Sequence, residues 1–282
     1  MDKPELFLSG LRFPEGSRWH EGRLYFSDMH TGQVLAVHPD TAELTEVTCL
    51  DGQPSGLGWT ADGALVVSSM LDNKVYKAAA DGSLSIWADV SPLTSWPTNE
   101  LCVSPGGHGY LGGFGYDFYH EATPQPGQLW HIAPDGSVSL GADGFTFPNG
   151  TVILPGTSTL VVAETWGHRL TAFDIGPDGA LTNRREWAKL WADSTADGLT
   201  VDREHGIWIS SIVEHKFVRV VEGGRITAEI DMGDELAVDC ALGGADGRTL
   251  YLSTSNSWHP AETAVREGRV YRVRVEVPGP SD

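Results

Sequence analysis

The 282-residue chain carries 38 Asp and Glu against 19 Lys and Arg, a formal charge of −19. That balance argues against a nucleic-acid or anionic-membrane partner, because phosphate contacts need the basic side chains that are scarce here. A hydrophobic content of 40% excludes a disordered chain, and 34 Gly with 16 Pro point to many tight turns in place of long helices.

At the start, Met1-Asp2-Lys3-Pro4-Glu5 has no basic region followed by an apolar stretch, and no later run approaches the roughly eighteen apolar residues of a membrane helix. A cytoplasmic protein is therefore expected. The segment Glu5–Phe13 reads as a strand, and after it one unit recurs six times with a period of about 45 residues. The first strands begin near Gly16, Gly56, Glu100, Gly150, Gly198 and Cys240. Second strands follow at Leu24–Ser27, Leu65–Ser68, Gly109–Gly112, Leu160–Ala163, Ile207–Ser210 and Leu250–Ser253. Third strands follow at Gln33–Val37, Lys74–Lys77, Gln128–Ile132, Arg169–Phe173, Phe217–Val220 and Arg269–Val273. Asp62-Gly63, Asp81-Gly82, Asp135-Gly136, Asp178-Gly179 and Asp246-Gly247 supply hairpin turns. Four antiparallel strands at this period predict an all-β, six-bladed β-propeller, a single domain over 1–282, with Glu5–Phe13 closing the ring in the last blade. Cys49, Cys102 and Cys240 are widely spread and are expected as buried small apolar residues without a disulfide. The acidic tail Pro278–Asp282 is expected to solubilise the surface or fray.

Strands alternate in direction, so the loops entering each first strand and those joining second to third strands open on one face. Glu15, Ser55, Asn99, Asn149, Asp197 and Asp239 stand in register at that end of the six first strands and should ring the channel mouth. Glu15, Asn99, Asn149 and Asp197 offer two carboxylates and two amide oxygens. Such an all-oxygen set suits one hard divalent cation, Ca²⁺ foremost, with Zn²⁺, Mn²⁺ and Mg²⁺ as alternatives. Loops on the same face bring His30 from blade one, Glu164, Trp166 and His168 from blade four, and His215 from blade five. Two longer insertions add Phe114–His120 and Asn256–Pro260, whose aromatic content implies an apolar wall for a small organic ligand.

Phe13-Pro14-Glu15-Gly16, Phe147-Pro148-Asn149-Gly150, Ala163–Leu170 and Ala196-Asp197-Gly198-Leu199 together resemble the senescence marker protein / gluconolactonase / luciferin-regenerating enzyme family, from about Glu15 to the last strand. The resemblance implies a six-bladed propeller with one catalytic divalent metal held by Glu15, Asn99, Asn149 and Asp197. It also implies hydrolysis of a lactone, with Asp197 as general base and Glu15 at the catalytic centre chiefly as ligand. Glu100 stands where the family often has Asp after the Asn. Pro97, after Trp96, stands where sugar-lactone members commonly carry an Arg that binds hydroxyls. With Trp96, Phe114, Phe118, Tyr119, Trp166 and Trp258 expected around the site, a lactone or ester less polar than a sugar lactone is the expected substrate. Glu100, His30 and His168 are expected to contact substrate or assist proton transfer. No GxSxG elbow occurs, which argues against a serine hydrolase. A metal-assisted isomerase or lyase acting beside a carbonyl, or a non-catalytic ligand-binding propeller, are the alternatives.

Overall fold

A computed structural model describes residues 3–280; Met1, Asp2, Ser281 and Asp282, the two ends of the expected 1–282 unit, lie outside the described residues. Twenty-four strands form six four-stranded antiparallel sheets, and consecutive strands pair within each sheet. The exception is the closure: Glu5–Leu11 pairs with Gly268–Arg274 in the sheet whose innermost strand is Leu236–Gly243. Pairing the first strand with the last covers the outer edge of Gly268–Arg274 and completes a fourth strand in that blade. The six blades form a ring, a β-propeller.

Each first strand packs against its neighbours around the channel: Pro14–His20, Pro54–Trp59, Thr98–Val103, Pro148–Ile153, Ala196–Val201 and Leu236–Gly243. Second strands are sandwiched between blades, which is why Leu65-Val66-Val67-Ser68-Ser69 is buried throughout. Outer strands such as Leu44–Cys49 are mostly exposed. The apolar core is therefore distributed along the seams between blades. Val34, Leu50, Leu57, Leu65, Val67 and Ala78 fill one such seam.

All six first strands carry a register shift where they enter from the channel mouth. In blade one Glu15 pairs with Ser27 and Arg18 with Tyr25, so an extra residue is accommodated between them. Glycine makes this possible where strands approach closely. Gly16 has φ +60°, and a Cβ there would collide with the Ser55 carbonyl; at Gly198 it would collide with the Asp239 carboxylate.

Two expectations need correction. The C-terminal segment is tied down as far as Gly279: Arg203 N–H donates to Pro278 O at 2.9 Å and Gly279 N–H to Gly247 O at 2.8 Å. Cys240 is buried, but Cys102 is half-buried and Cys49 exposed on an outer strand; all three are free thiols. Among the described residues no helix is long and apolar enough to cross a membrane.

Candidate active site

The bulged ends of the first strands bring Glu15, Asn99, Asn149 and Asp197 to the floor of one cavity at the channel mouth. All four are buried, with relative exposures of 2 to 5%. A hydrogen-bond chain fixes the amides. Ser55 Oγ donates to Asn99 Oδ1 at 2.6 Å, Asn99 Nδ2 to Asn149 Oδ1 at 3.1 Å and Asn149 Nδ2 to Thr165 Oγ1 at 3.4 Å. Thr165 Oγ1 in turn donates to Ala196 O at 2.7 Å. Glu15 accepts from Gly16 N–H at 2.8 Å. Above this floor the walls are Phe13, Met29, Met70, Phe114, Phe118, Tyr119, Phe147, Trp166, Ile212 and Trp258, with His259 and Glu121 at the rim. Among the described residues, no Lys or Arg lines the cavity.

Charge in the channel is unbalanced. Burial, followed by repulsion from Asp197, Glu100 and Asp239, pushes Glu15 well above the usual carboxylate range. Burial and the Asp239 and Glu100 charges do the same to Asp197. Asp239 is pushed up to about 7, by burial first and Glu100 second. It accepts from Ser17 N–H through Oδ2, while its Oδ1 has no partner. Arg18 opposes this field at Glu100 and Asp239: it crosses from blade one to blade three and donates to Glu100 Oε2 at 2.8 Å and Leu101 O at 3.0 Å. Burial disfavours the Arg18 charge, but the Glu100 and Asp239 carboxylates hold it protonated. With Ser17, Leu57, Thr151 and Leu199, Arg18 lines the opposite mouth of the channel.

Phe114, Trp166 and Trp258 line the cavity, but four other residues expected at substrate do not. Trp96 is 42% exposed and lines a separate groove with Leu93, Trp130 and Leu140 on the flank of blade three. Glu100 turns down the channel to Arg18. His168 sits in left-handed backbone with Nδ1 2.6 Å from Ser194 O, which anchors the loop behind Trp166. His30 lies behind the wall, stacked on Phe13 at 4.9 Å, with Nδ1 2.9 Å from Thr263 Oγ1. Burial, then the Arg12 and His259 charges, lower its pKa to about 4, so it is neutral near pH 7. Arg12 donates to His30 O and Pro260 O, so this cluster ties the blade-six insertion to blade one. Glu164 is likewise structural: Arg169 Nε, Thr171 Oγ1 and Thr146 N–H donate to it at 2.6 to 2.9 Å.

Sequence reasoning passed over Phe13 and Phe147 as wall residues. Each stands two positions before a floor residue, just ahead of the first strands Pro14–His20 and Pro148–Ile153, and that shared Phe-Pro offset was the available signal. Phe147 adopts φ +62°, a strained conformation for an aromatic residue, and stacks on Phe114 at 4.1 Å. Met70, Ile212 and Thr165 reach the cavity from loops whose direction the pattern does not encode.

The profile of the family described as "SMP-30/Gluconolactonase/LRE-like region" matches residues 13–256. The chain belongs to this family. It is 24% identical over 264 residues to a 6-deoxy-6-sulfogluconolactonase of Pseudomonas putida, covering 91% of this chain and 88% of that protein. It is also 24% identical over 250 residues to a pentonolactonase of Haloferax volcanii, covering 86% and 82%. Among solved structures it is similar to regucalcin, a calcium-binding protein of Agrobacterium tumefaciens. That match has a TM-score of 0.84 at 19% identity and covers 100% of this chain and 96% of the other.

Proposed function

We propose that the protein is a divalent-cation-dependent lactonase acting on cyclic esters less polar than sugar lactones. The observation that carries this reading is the convergence of Glu15, Asn99, Asn149 and Asp197 on the floor of one apolar cavity. The lactonases among its relatives support the reaction class. Among the described residues no group of three or more His, Cys, Asp or Glu is disposed to hold a metal; the set here is two carboxylates completed by two amides. That set fits a hard cation. Two buried carboxylates repel in its absence, and each amide oxygen keeps a second lone pair beyond the hydrogen bond it accepts. Regucalcin's calcium binding supports Ca²⁺ as the first choice.

A cation held by these four residues supplies Lewis acidity toward the ester carbonyl. The residues themselves do the rest. Asp197 accepts a proton from the attacking water and returns it to the departing oxygen. Glu15, whose Oε2 accepts from the Gly16 N–H, serves chiefly as a ligand. The chain from Ser55 through Asn99 and Asn149 to Thr165 prevents the amides from rotating away. Phe114, Phe147, Trp166 and Trp258 seat an apolar ring and exclude bulk water, which strengthens each electrostatic contact. No guanidinium or ammonium lines the described cavity to bind a polyol, which favours dihydrocoumarin or an alkyl δ-lactone over gluconolactone. The test is kcat/KM for those three substrates with wild type and Asp197→Asn. The expected loss in the variant is about 10²- to 10⁴-fold, the range for a missing proton acceptor. A variant within twofold of wild type, or a preference for gluconolactone, would contradict the proposal.

A further inference from the structure

Tyr119 lies in the blade-three insertion, in the short 3₁₀ turn Phe118–His120 that Asp117 caps by accepting from His120 N–H at 3.3 Å. Its ring packs beside Phe118 in the apolar cluster that also holds Met29, Phe114 and Phe147, and it lines the cavity with Glu15 and Asp197. Its hydroxyl has one neighbour able to accept, Met29 Sδ at 4.0 Å, and a thioether is a weak acceptor. Tyr119 is partly buried in this wall, and among the described residues its hydroxyl has no oxygen or nitrogen partner. A wall that needed only apolar surface would be served by Phe, as it is at 114, 118 and 147. Other donors at this depth are in part committed: Thr165 Oγ1 to Ala196 O, and one of the two amide hydrogens each of Asn99 and Asn149 along the chain. Burial, then the Glu15 and Asp197 charges, raise the Tyr119 pKa, so the phenol stays protonated wherever those carboxylates work.

We propose that Tyr119 is a catalytic residue whose hydroxyl donates a hydrogen bond to the ester oxygen that leaves as the lactone ring opens. This rests on the lactonase reading above. In the step, the water oxygen bonds to the acyl carbon, and the bond from that carbon to the ring oxygen breaks with its electron pair going to that oxygen. The proton taken from water by Asp197 ends on the same oxygen. Tyr119 keeps its own proton throughout, and the product is a single hydroxy acid.

A hydrogen bond to developing charge matters most when the leaving oxygen is a poor leaving group. Tyr119→Phe and wild type should be compared on lactones whose departing oxygen runs from phenols, in dihydrocoumarin and nitro-substituted dihydrocoumarin, to the aliphatic alcohol of an alkyl δ-lactone. The variant is expected to keep its thermal midpoint and its KM. Its kcat should fall about 10- to 100-fold on the alkyl lactone and less than about twofold on the nitro compound, giving a steeper dependence on leaving-group pKa. An equal loss across the series would mean that the hydroxyl only shapes the wall, and no loss would mean that it is idle. Either result overturns the assignment of Tyr119 while leaving the lactonase reading intact. A wild-type protein that opens none of the series overturns both.

Discussion

Replacing Glu15 by Gln should make the cation-free protein more stable, even though it removes a residue on which the proposed function depends. Burial and three neighbouring carboxylates push Glu15 well above its ordinary range, so the cation-free fold works against its ionised form. Each pH step above an ordinary glutamate pKa near 4.3 costs about 1.36 kcal/mol for a group kept protonated, so the cost at pH 7 is at most about 3.7 kcal/mol. Gln is neutral and of the same shape, so it recovers part of that. Unfolding entropy of about 2.1 cal/mol/K per residue over 282 residues is about 0.6 kcal/mol/K, which sets the ceiling on the rise in melting temperature near 6 °C. In wild type, calcium at about 100 times Kd should contribute about 2.7 kcal/mol, or about 5 °C; in Glu15→Gln this response should largely vanish. Calorimetry of both proteins, after chelation and again with calcium, reads all four values. A chelated variant that melts below chelated wild type, yet still responds fully to calcium, would refute the view that Glu15 is held at an electrostatic cost for the sake of a cation.

Further outcomes follow from the same channel. Asp239, pushed up to about 7, binds a proton more tightly folded than unfolded, so its contribution to stability is present below about pH 4 and lost as pH rises toward 7. The chelated protein should lose up to about 4 kcal/mol over that interval by this route, and urea titrations at several pH values should show the slope flattened in Asp239→Asn. Arg18→Met strands Glu100, already 1% exposed with Oε1 unpartnered, and should destabilise by about 3–5 kcal/mol. Adding Glu100→Gln should restore part of this loss in a double-mutant cycle. Gly198→Ala drives a methyl against the Asp239 side chain and backbone and should cost about 1–3 kcal/mol by denaturant unfolding, whereas Gly63→Ala, where a Cβ meets nothing within 4 Å, strains only its backbone and should cost less.

The repeat made the fold legible because a blade is a local unit: three strands of each copy and its turns are written within about 45 residues, and the closing strand Glu5–Leu11 was legible as the one strand left over ahead of the first copy. The floor of the site was legible for the same reason, since one register position recurs in every blade. What escaped lies in loop direction and in contacts between blades. Trp96 lies in the loop before the strand Thr98–Val103, where no strand period fixes its direction, and it faces the flank groove. The shift that breaks the pairing between Thr98 and Leu101 sends Glu100 down the channel to an arginine 82 residues away. His30 and His168 look like rim acids or bases in isolation. Their ring nitrogens instead lie against Thr263 and Ser194, partners that no local pattern reveals. The apolar character of the wall could be read from its aromatic insertions, but the lone tyrosine hydroxyl within it appears only once its surroundings are known.

The most direct test is hydrolysis of dihydrocoumarin by the wild-type protein as purified, after exhaustive chelation, and after calcium is returned. The expected result is turnover that falls to background on chelation and recovers with about one calcium bound per chain, with neither binding nor recovery in Asp197→Asn. Turnover that survives complete removal of divalent cations would contradict a site built from Glu15, Asn99, Asn149 and Asp197 around a metal.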